Sequence, residues 1–149
     1  MIGKMKKGCG VYLLSDKSIY IQGFFYEETG PGFLNSNVSA RISNKLIIEV
    51  LGKIVISVLD STQIIEGKDW DKKEYIANTL KFVNYKNLKT FESSSKYLII
   101  EVVGNVVQIS ETEYKTDYGG WYSGIPGGTD ECQLEEGSIC QLIMKKFNI

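Results

Sequence analysis

The chain contains no histidine. This removes the commonest general base at neutral pH, the commonest metal ligand, and the Ser-His-Asp and Cys-His arrangements together. Acid–base work would then fall to carboxylates, and one pair stands in matching places. Glu49 lies in Leu46-Ile47-Ile48-Glu49-Val50-Leu51-Gly52, and Glu101 lies in a near-copy 52 residues later, Leu98-Ile99-Ile100-Glu101-Val102-Val103-Gly104. Two carboxylates in unlike environments can divide acid and base roles. Nothing in their spacing brings these two to one pocket, and the plainer reading is a polar residue on a sheet rim. Cys9, Cys132 and Cys140 are odd in number, scattered, and free of any CxxC spacing. They are read as reduced thiols, neither a disulfide framework nor a zinc site. Cys140 falls in the last apolar run, where an unactivated buried thiol is expected. No catalytic residue, metal or cofactor is assigned, so the expected activity is binding.

The residues best suited to binding lie late in the chain. Positions 119–129 hold five glycines around Trp121, Tyr122 and Pro126, preceded by Tyr114 and Tyr118. A Walker loop would need a Gly-Lys-Ser/Thr ending, and a dinucleotide fingerprint would need G-x-G-x-x-G between a strand and a helix; neither is present. The stretch reads as a long connection whose aromatics either tuck onto the core or face a partner. Trp and Tyr are favoured interface anchors because they bury large area at low entropic cost. Residues 111–136 also carry Glu111, Glu113, Asp117, Asp130, Glu131, Glu135 and Glu136 against Lys115 alone. The candidate partner-binding set is therefore Tyr118, Trp121, Tyr122, Asp130, Glu131, Glu135 and Glu136. An acidic, aromatic surface of this kind suits a basic groove such as a nuclease cleft.

Those residues must be positioned by strands. The run 11–14, the polar break 15–18 and the run 19–26 predict an opening hairpin. In its second strand Ile19, Ile21 and Phe25 take one face, while Tyr20, Gln22, Phe24 and Tyr26 take the other. Thr29-Gly30-Pro31-Gly32 signals a loop, with a short strand near 38–42. The two near-copies predict two more hairpins, turning at Gly52-Lys53 and Gly104-Asn105. The first, 46–59, is apolar on both faces and is placed at the centre of the sheet. The second, 98–110, mixes Glu101, Gln108 and Ser110 with Ile99, Val103 and Val106 on one face, and is placed half-exposed near an edge. One helix is expected at about 69–84, capped by Asp69 or Asp71, with Tyr75, Ile76, Thr79, Leu80, Phe82 and Val83 forming its apolar stripe. It should end at 84–87, followed by a possible helical turn at 88–94 and a final strand at 138–147. The expected class is α+β, mainly antiparallel β as a twisted sheet or incomplete sandwich of hairpins, with that one helix against it.

Length and charge set the remaining bounds. At 149 residues and 43% apolar composition, one domain is expected over 1–149. The net charge of −1 gives no overall attraction to nucleic acid or anionic lipid. Lys4, Lys6 and Lys7 form a short basic start without interleaved aromatics, which disfavours a nucleic-acid module. The apolar run behind them is too short for a signal peptide, and no run reaches the length of a membrane span. A soluble, cytoplasmic protein is expected.

In overall character the sequence resembles the small immunity proteins of bacterial contact-dependent inhibition and related polymorphic toxin systems. The likeness covers the whole chain: an Ile-, Lys- and Asn-rich makeup, paired hairpins at 46–59 and 98–110, a central helix from Asp69 and an acidic loop. It rests on no diagnostic motif, and no functional residue carries over by position. The resemblance implies a non-enzymatic protein that binds and neutralises a cognate toxin domain, expected to be basic and nuclease-like, with no direct contact to nucleic acid or membrane. The competing reading is a small-ligand or carbohydrate-binding module, with Tyr118, Trp121 and Tyr122 stacking on sugar faces and Asp117 or Asp130 bonding hydroxyls.

Overall fold

The computed structural model describes residues 6–28 and 33–149. The loop expected at positions 29–32 and Lys4 of the basic start lie outside the described residues. Among the described residues, seven strands form one open sheet: β1 (Lys7–Leu13), β2 (Ile19–Glu27), β3 (Phe33–Ile42), β4 (Gln63–Ile65), β5 (Lys96–Val103), β6 (Val106–Lys115) and β7 (Trp121–Gln133). Their order is β3-β2-β1-β5-β6-β7, with neighbours antiparallel. The short β4 runs parallel to β2 alongside Phe25 to Glu27, on the side that β1 leaves free beyond Gly23. Four helices accompany the sheet: α1 (Ile47–Asp60), α2 (Lys72–Val83), α3 (Leu88–Ser94) and α4 (Glu136–Phe147). The class is α+β with a mainly antiparallel sheet, as expected; the helix count among the described residues is four rather than one.

The opening hairpin forms as expected, and its alternation sorts the core. Cys9, Val11, Leu13, Ile19 and Ile21 join Leu98, Ile100, Val102, Val107 and Ile109 on one face, under α1 and α4. Tyr12, Leu14, Tyr20 and Tyr97 point to the other face, where Val83 of α2 and Phe91 of α3 close a smaller aromatic core. Two glycines of β1 serve that second face. A Cβ on Gly10 would collide with the Tyr97 ring, and one on Gly8 would collide with the Tyr26 hydroxyl and lie 2.7 Å from Phe24. Aromatic rings from the flanking strands therefore lie across β1 where its own side chains would have stood.

Two expectations are overturned. The segment 46–59 is not a hairpin but helix α1, entered through a 3-10 turn at Asn44–Leu46. Its buried residues Ile47, Leu51, Gly52, Val55, Val58 and Leu59 fall at three- and four-residue intervals and make a single stripe. Gly52 is no turn residue: a Cβ there would overlap the Glu136 carbonyl group, so its bareness lets α1 seat against the start of α4. The final segment 138–147, expected as a strand, lies within α4, with Ile139, Cys140, Ile143 and Phe147 turned inward. Glu136 in its first turn and Lys145 and Lys146 in its last complement the helix dipole, and Asn148 at φ 59° ends it in the left-handed region. Burial raises the Cys140 thiol, consistent with an inert side chain.

The other helices follow their caps. Asp71 accepts a hydrogen bond from the Glu74 backbone N–H at 3.1 Å and starts α2, which Asn84 ends at φ 56°. Asn87 caps α3 in the same way through Thr90. At the C-terminus of α1, Thr62 accepts from the Gly8 backbone N–H at 3.0 Å, fastening the helix to β1. Arg41 of β3 donates to the Phe82 carbonyl oxygen (2.7 Å), to Asp16 (2.6 Å) and to the Ser18 hydroxyl (3.1 Å), joining the end of α2 to the β1–β2 turn. Among the described residues, no helix is long and apolar enough to cross a membrane.

These contacts make two testable demands. Gly52→Ala drives a methyl group into the α4 backbone, so urea unfolding should show a loss of about 1–3 kcal/mol. Asp16 is held below its ordinary carboxyl value, first by the Ser18 hydroxyl and backbone N–H and then by Arg41. Its stabilising contribution is complete above the ordinary value of 3.8 and is lost as pH falls below it. Urea midpoints measured between pH 7 and pH 3 should therefore fall less steeply on the acid side in Asp16→Asn than in the wild type.

Candidate functional site

The structure spreads the seven candidate binding residues along β7 and its two ends. The segment expected as a long connection is itself an edge strand, Trp121–Gln133. It tolerates Pro126 because its outer side has no ladder to complete. Between Ser110↔Thr129 and Thr112↔Gly124 the register of β6 and β7 shifts, and residues 125–128 form a bulge.

At the start of β7, a 3-10 turn at Asp117–Gly119 returns the chain from β6. Tyr118, Gly119 and Gly120 have φ of 51°, 84° and 98°, so a tyrosine occupies the left-handed region normally left to glycine. Tyr118 is 95% exposed, and Trp121 is 44% exposed. The Trp121 indole N–H donates to the Asp117 carboxylate at 2.8 Å, which fixes the ring without burying it. Both aromatics are exposed at the tip of the β6–β7 hairpin, and Trp121 is oriented there by Asp117.

Tyr122 belongs to the core instead. It stands opposite Tyr114 and packs on Tyr97 with ring centroids 4.7 Å apart, while its hydroxyl donates to the Glu92 carbonyl oxygen. Burial, then the charge of Glu92, raises its phenol well above the ordinary range. Asp130 and Glu131 are adjacent in a strand and so leave by opposite faces. Asp130, opposite Ile109, takes a 2.7 Å salt bridge from Lys146 of α4, which holds its carboxyl low. The Lys146 side chain is 4% exposed and also donates to the Gly128 carbonyl oxygen at 2.9 Å, so this ion pair anchors the bulge to α4. Glu131 faces the other way and accepts from Gln108 at 3.3 Å. Glu135 caps α4 from the backbone only, and Glu136 opens its first turn. The candidate set thus divides into an aromatic tip, an inward Tyr122, an ion-paired Asp130, and outward Glu131, Glu135 and Glu136.

Glu49 and Glu101 do not form a pair. Glu49 lies exposed on α1, whereas Glu101 sits on β5 and accepts a 2.7 Å hydrogen bond from the Tyr26 hydroxyl, which reaches it across Gly8. Lys6 stands 4.0 Å away. Strand alternation places Tyr26 on the correct face of β2 but does not reveal its contact with Glu101; the signal that could have found it is Gly8, which leaves the space between the two open. The hollow of about 330 Å³ beside Asp16, Ser18, Arg41, Ser43 and Asn44 is built on the Arg41 contacts above. Among the described residues, no group of three or more cysteine, aspartate or glutamate side chains is placed to hold a metal ion.

The same architecture is found in other proteins. The chain superposes on a protein of unknown function from Neisseria meningitidis with a TM-score of 0.78 and 12% identity, covering 99% of this chain and 97% of that one. It superposes on a chain of the CdiA-CT/CdiI toxin and immunity complex from Yersinia pseudotuberculosis with a TM-score of 0.74 and 12% identity, covering 97% of each. No protein-family model matches the sequence, and no curated protein does. At this identity the likeness is one of fold.

The contrast between adjacent aromatics is testable by thermal and urea unfolding. Trp121→Ala should change stability by no more than about 0.5 kcal/mol, as at an exposed position. Tyr122→Ala should cost about 3 kcal/mol or more, because it empties a packed aromatic site.

Proposed function

We propose that this chain is an immunity protein, which binds and neutralises a cognate toxin domain and performs no catalysis itself. The observation that carries the reading is the whole-chain fold likeness to a chain of the CdiA-CT/CdiI toxin and immunity complex, at 97% coverage of both chains. Such a complex has two kinds of chain, and the character of this one favours the inhibitor. It has no histidine for general base or metal chemistry. Two of its short ionic contacts, Arg41 with Asp16 and Lys146 with Asp130, tie structural elements together. In this reading the protein folds as one domain, acts in the cytoplasm, and meets a basic, nuclease-like toxin.

The proposed contact runs along β7, from Tyr118 and Trp121 at the hairpin tip to Glu131, Glu135 and Glu136 towards α4. Charge attraction would speed encounter, and the oriented indole would slow release. A sugar-binding reading loses support because Tyr122, one of its three stacking platforms, is spent in the core.

The test is a pull-down and calorimetric titration of the purified protein with the product of the gene immediately upstream, together with an assay of that product's activity. Stoichiometric binding with suppressed activity supports the reading, and absence of binding overturns it. If binding is found, the double variant Trp121→Ala with Glu131→Lys should stay folded by circular dichroism and lose more than about 2 kcal/mol of binding free energy.

A further inference from the structure

The strands β5, β6 and β7 carry α4 on one side; on the other, Tyr97 and Tyr122 join the aromatic core, Ile99 packs at its edge, and the part of the face beyond it is open to solvent. Three cross-strand rows make up that open face: Val103, Val106 and Gln133; Glu101, Gln108 and Glu131; and Ile99, Ser110 and Thr129. Val103 is 48% and Val106 42% exposed, and Glu131, Gln133 and Thr129 are exposed beside them. Solvated sheet faces ordinarily place opposite charges across from one another, since such pairs stabilise the ladder. Here none of the nine residues is basic, and Gln108, not a lysine or arginine, stands between the two carboxylates.

Those carboxylates are held in place. The Tyr26 hydroxyl, reaching over Gly8, fixes Glu101 at 2.7 Å, and Gln108 holds Glu131 at 3.3 Å. The nearest described cation is Lys6, 4.0 Å from Glu101 and itself 56% exposed at the rim. A pre-oriented carboxylate loses less entropy when a donor arrives. The apolar row of Val103 and Val106 lies directly beside the acidic row and would cover the aliphatic stems of long basic side chains. We infer that this open face receives a cationic segment of the partner protein, with Glu101 and Glu131 accepting from its lysine or arginine side chains. The inference rests on the immunity reading and names the chemistry of its contact; Glu131 belongs both to this face and to the β7 rim.

The experiment uses the full chain and the upstream-encoded toxin domain, with affinity measured from low to high salt. Glu101→Gln combined with Glu131→Gln should weaken binding at low salt by at least about tenfold and flatten its salt dependence. Gln108→Lys, which sets a like charge against a cationic partner, should weaken it by about 100-fold. Circular dichroism and melting curves close to wild type would separate these losses from unfolding, and Gln108→Lys gives a reading even where the Glu101 change harms folding. Wild-type affinity and an unchanged salt slope in all variants overturn the face while leaving the immunity reading standing. Failure of the wild type to bind the toxin overturns both. A wild-type dimer in analytical ultracentrifugation that Gln108→Lys makes monomeric assigns the face to a second copy of this chain and overturns the inference.

Discussion

The rest of the structure depends on β1 being buried on both faces while giving way on one of them. Towards α1 and α4 it offers Cys9, Val11 and Leu13, all among the most buried side chains of the protein. Towards the other face it offers Gly8, Gly10 and Tyr12, so that only one bulky side chain rises from three alternate positions. Rings from neighbouring strands take the vacated space: Tyr97 over Gly10, and Tyr26 with Phe24 over Gly8. The exchange keeps the interior close-packed and brings together side chains from strands that are not neighbours. Tyr26 on β2 reaches Glu101 on β5, two strands away, while between the adjacent β1 and β5 the paired Tyr12 and Tyr97 stack at 4.2 Å. A β-branched residue at Gly10 would displace the Tyr97 ring, and one at Gly8 would close the Tyr26 route to Glu101.

The near-duplicate segments show how far local sequence carries. Leu98-Ile99-Ile100-Glu101-Val102-Val103-Gly104 is the strand and turn it resembles, with Gly104 at φ 65°, whereas Leu46-Ile47-Ile48-Glu49-Val50-Leu51-Gly52 is helical. Seven nearly identical residues have no intrinsic preference strong enough to choose, because β-branched and leucine side chains fit either a pleated or a helical surface when buried. The residues after the glycine decide. Asn105 suits a tight hairpin turn, whereas Lys53-Ile54-Val55-Ile56-Ser57-Val58-Leu59 continues the helical stripe begun at Ile47 and Leu51. That stripe is legible in the sequence, as is the one in α4 through Ile139, Ile143 and Phe147. Both nevertheless read as strands when their β-branched content and apolar density outweigh their period. Where caps and period agree, as at Asp71, Asn84 and Asn87, the helices stand where the sequence predicts them.

The surface is legible in composition and hidden in direction. Glycine and proline density at 119–129 signals a connection when read locally, yet an edge strand tolerates both because half its hydrogen bonds go unclaimed. Once that stretch is a strand, period two divides its charges: Asp130 turns to Lys146, and Glu131 turns away beside Gln108. Clustering in sequence therefore says nothing here about clustering in space. The same period, applied to the 98–110 hairpin, places Glu101, Gln108 and Ser110 together, and there the structure agrees.

Alternation also explains how one architecture can serve many surfaces. In β6, Val107 and Ile109 are fully buried under α4 while Gln108 and Ser110 between them face outward. The inward set maintains the core, and outward residues such as Gln108 can change without entering it. A fold shared with a TM-score of 0.78 at 12% identity is what such a division permits. The covered face demands apolar residues of suitable volume, whereas the open face constrains little beyond strand propensity. Binding chemistry placed on that open face is carried by a sheet whose strands are ordered before any partner arrives, so the cost of positioning its side chains falls mainly on folding rather than on association.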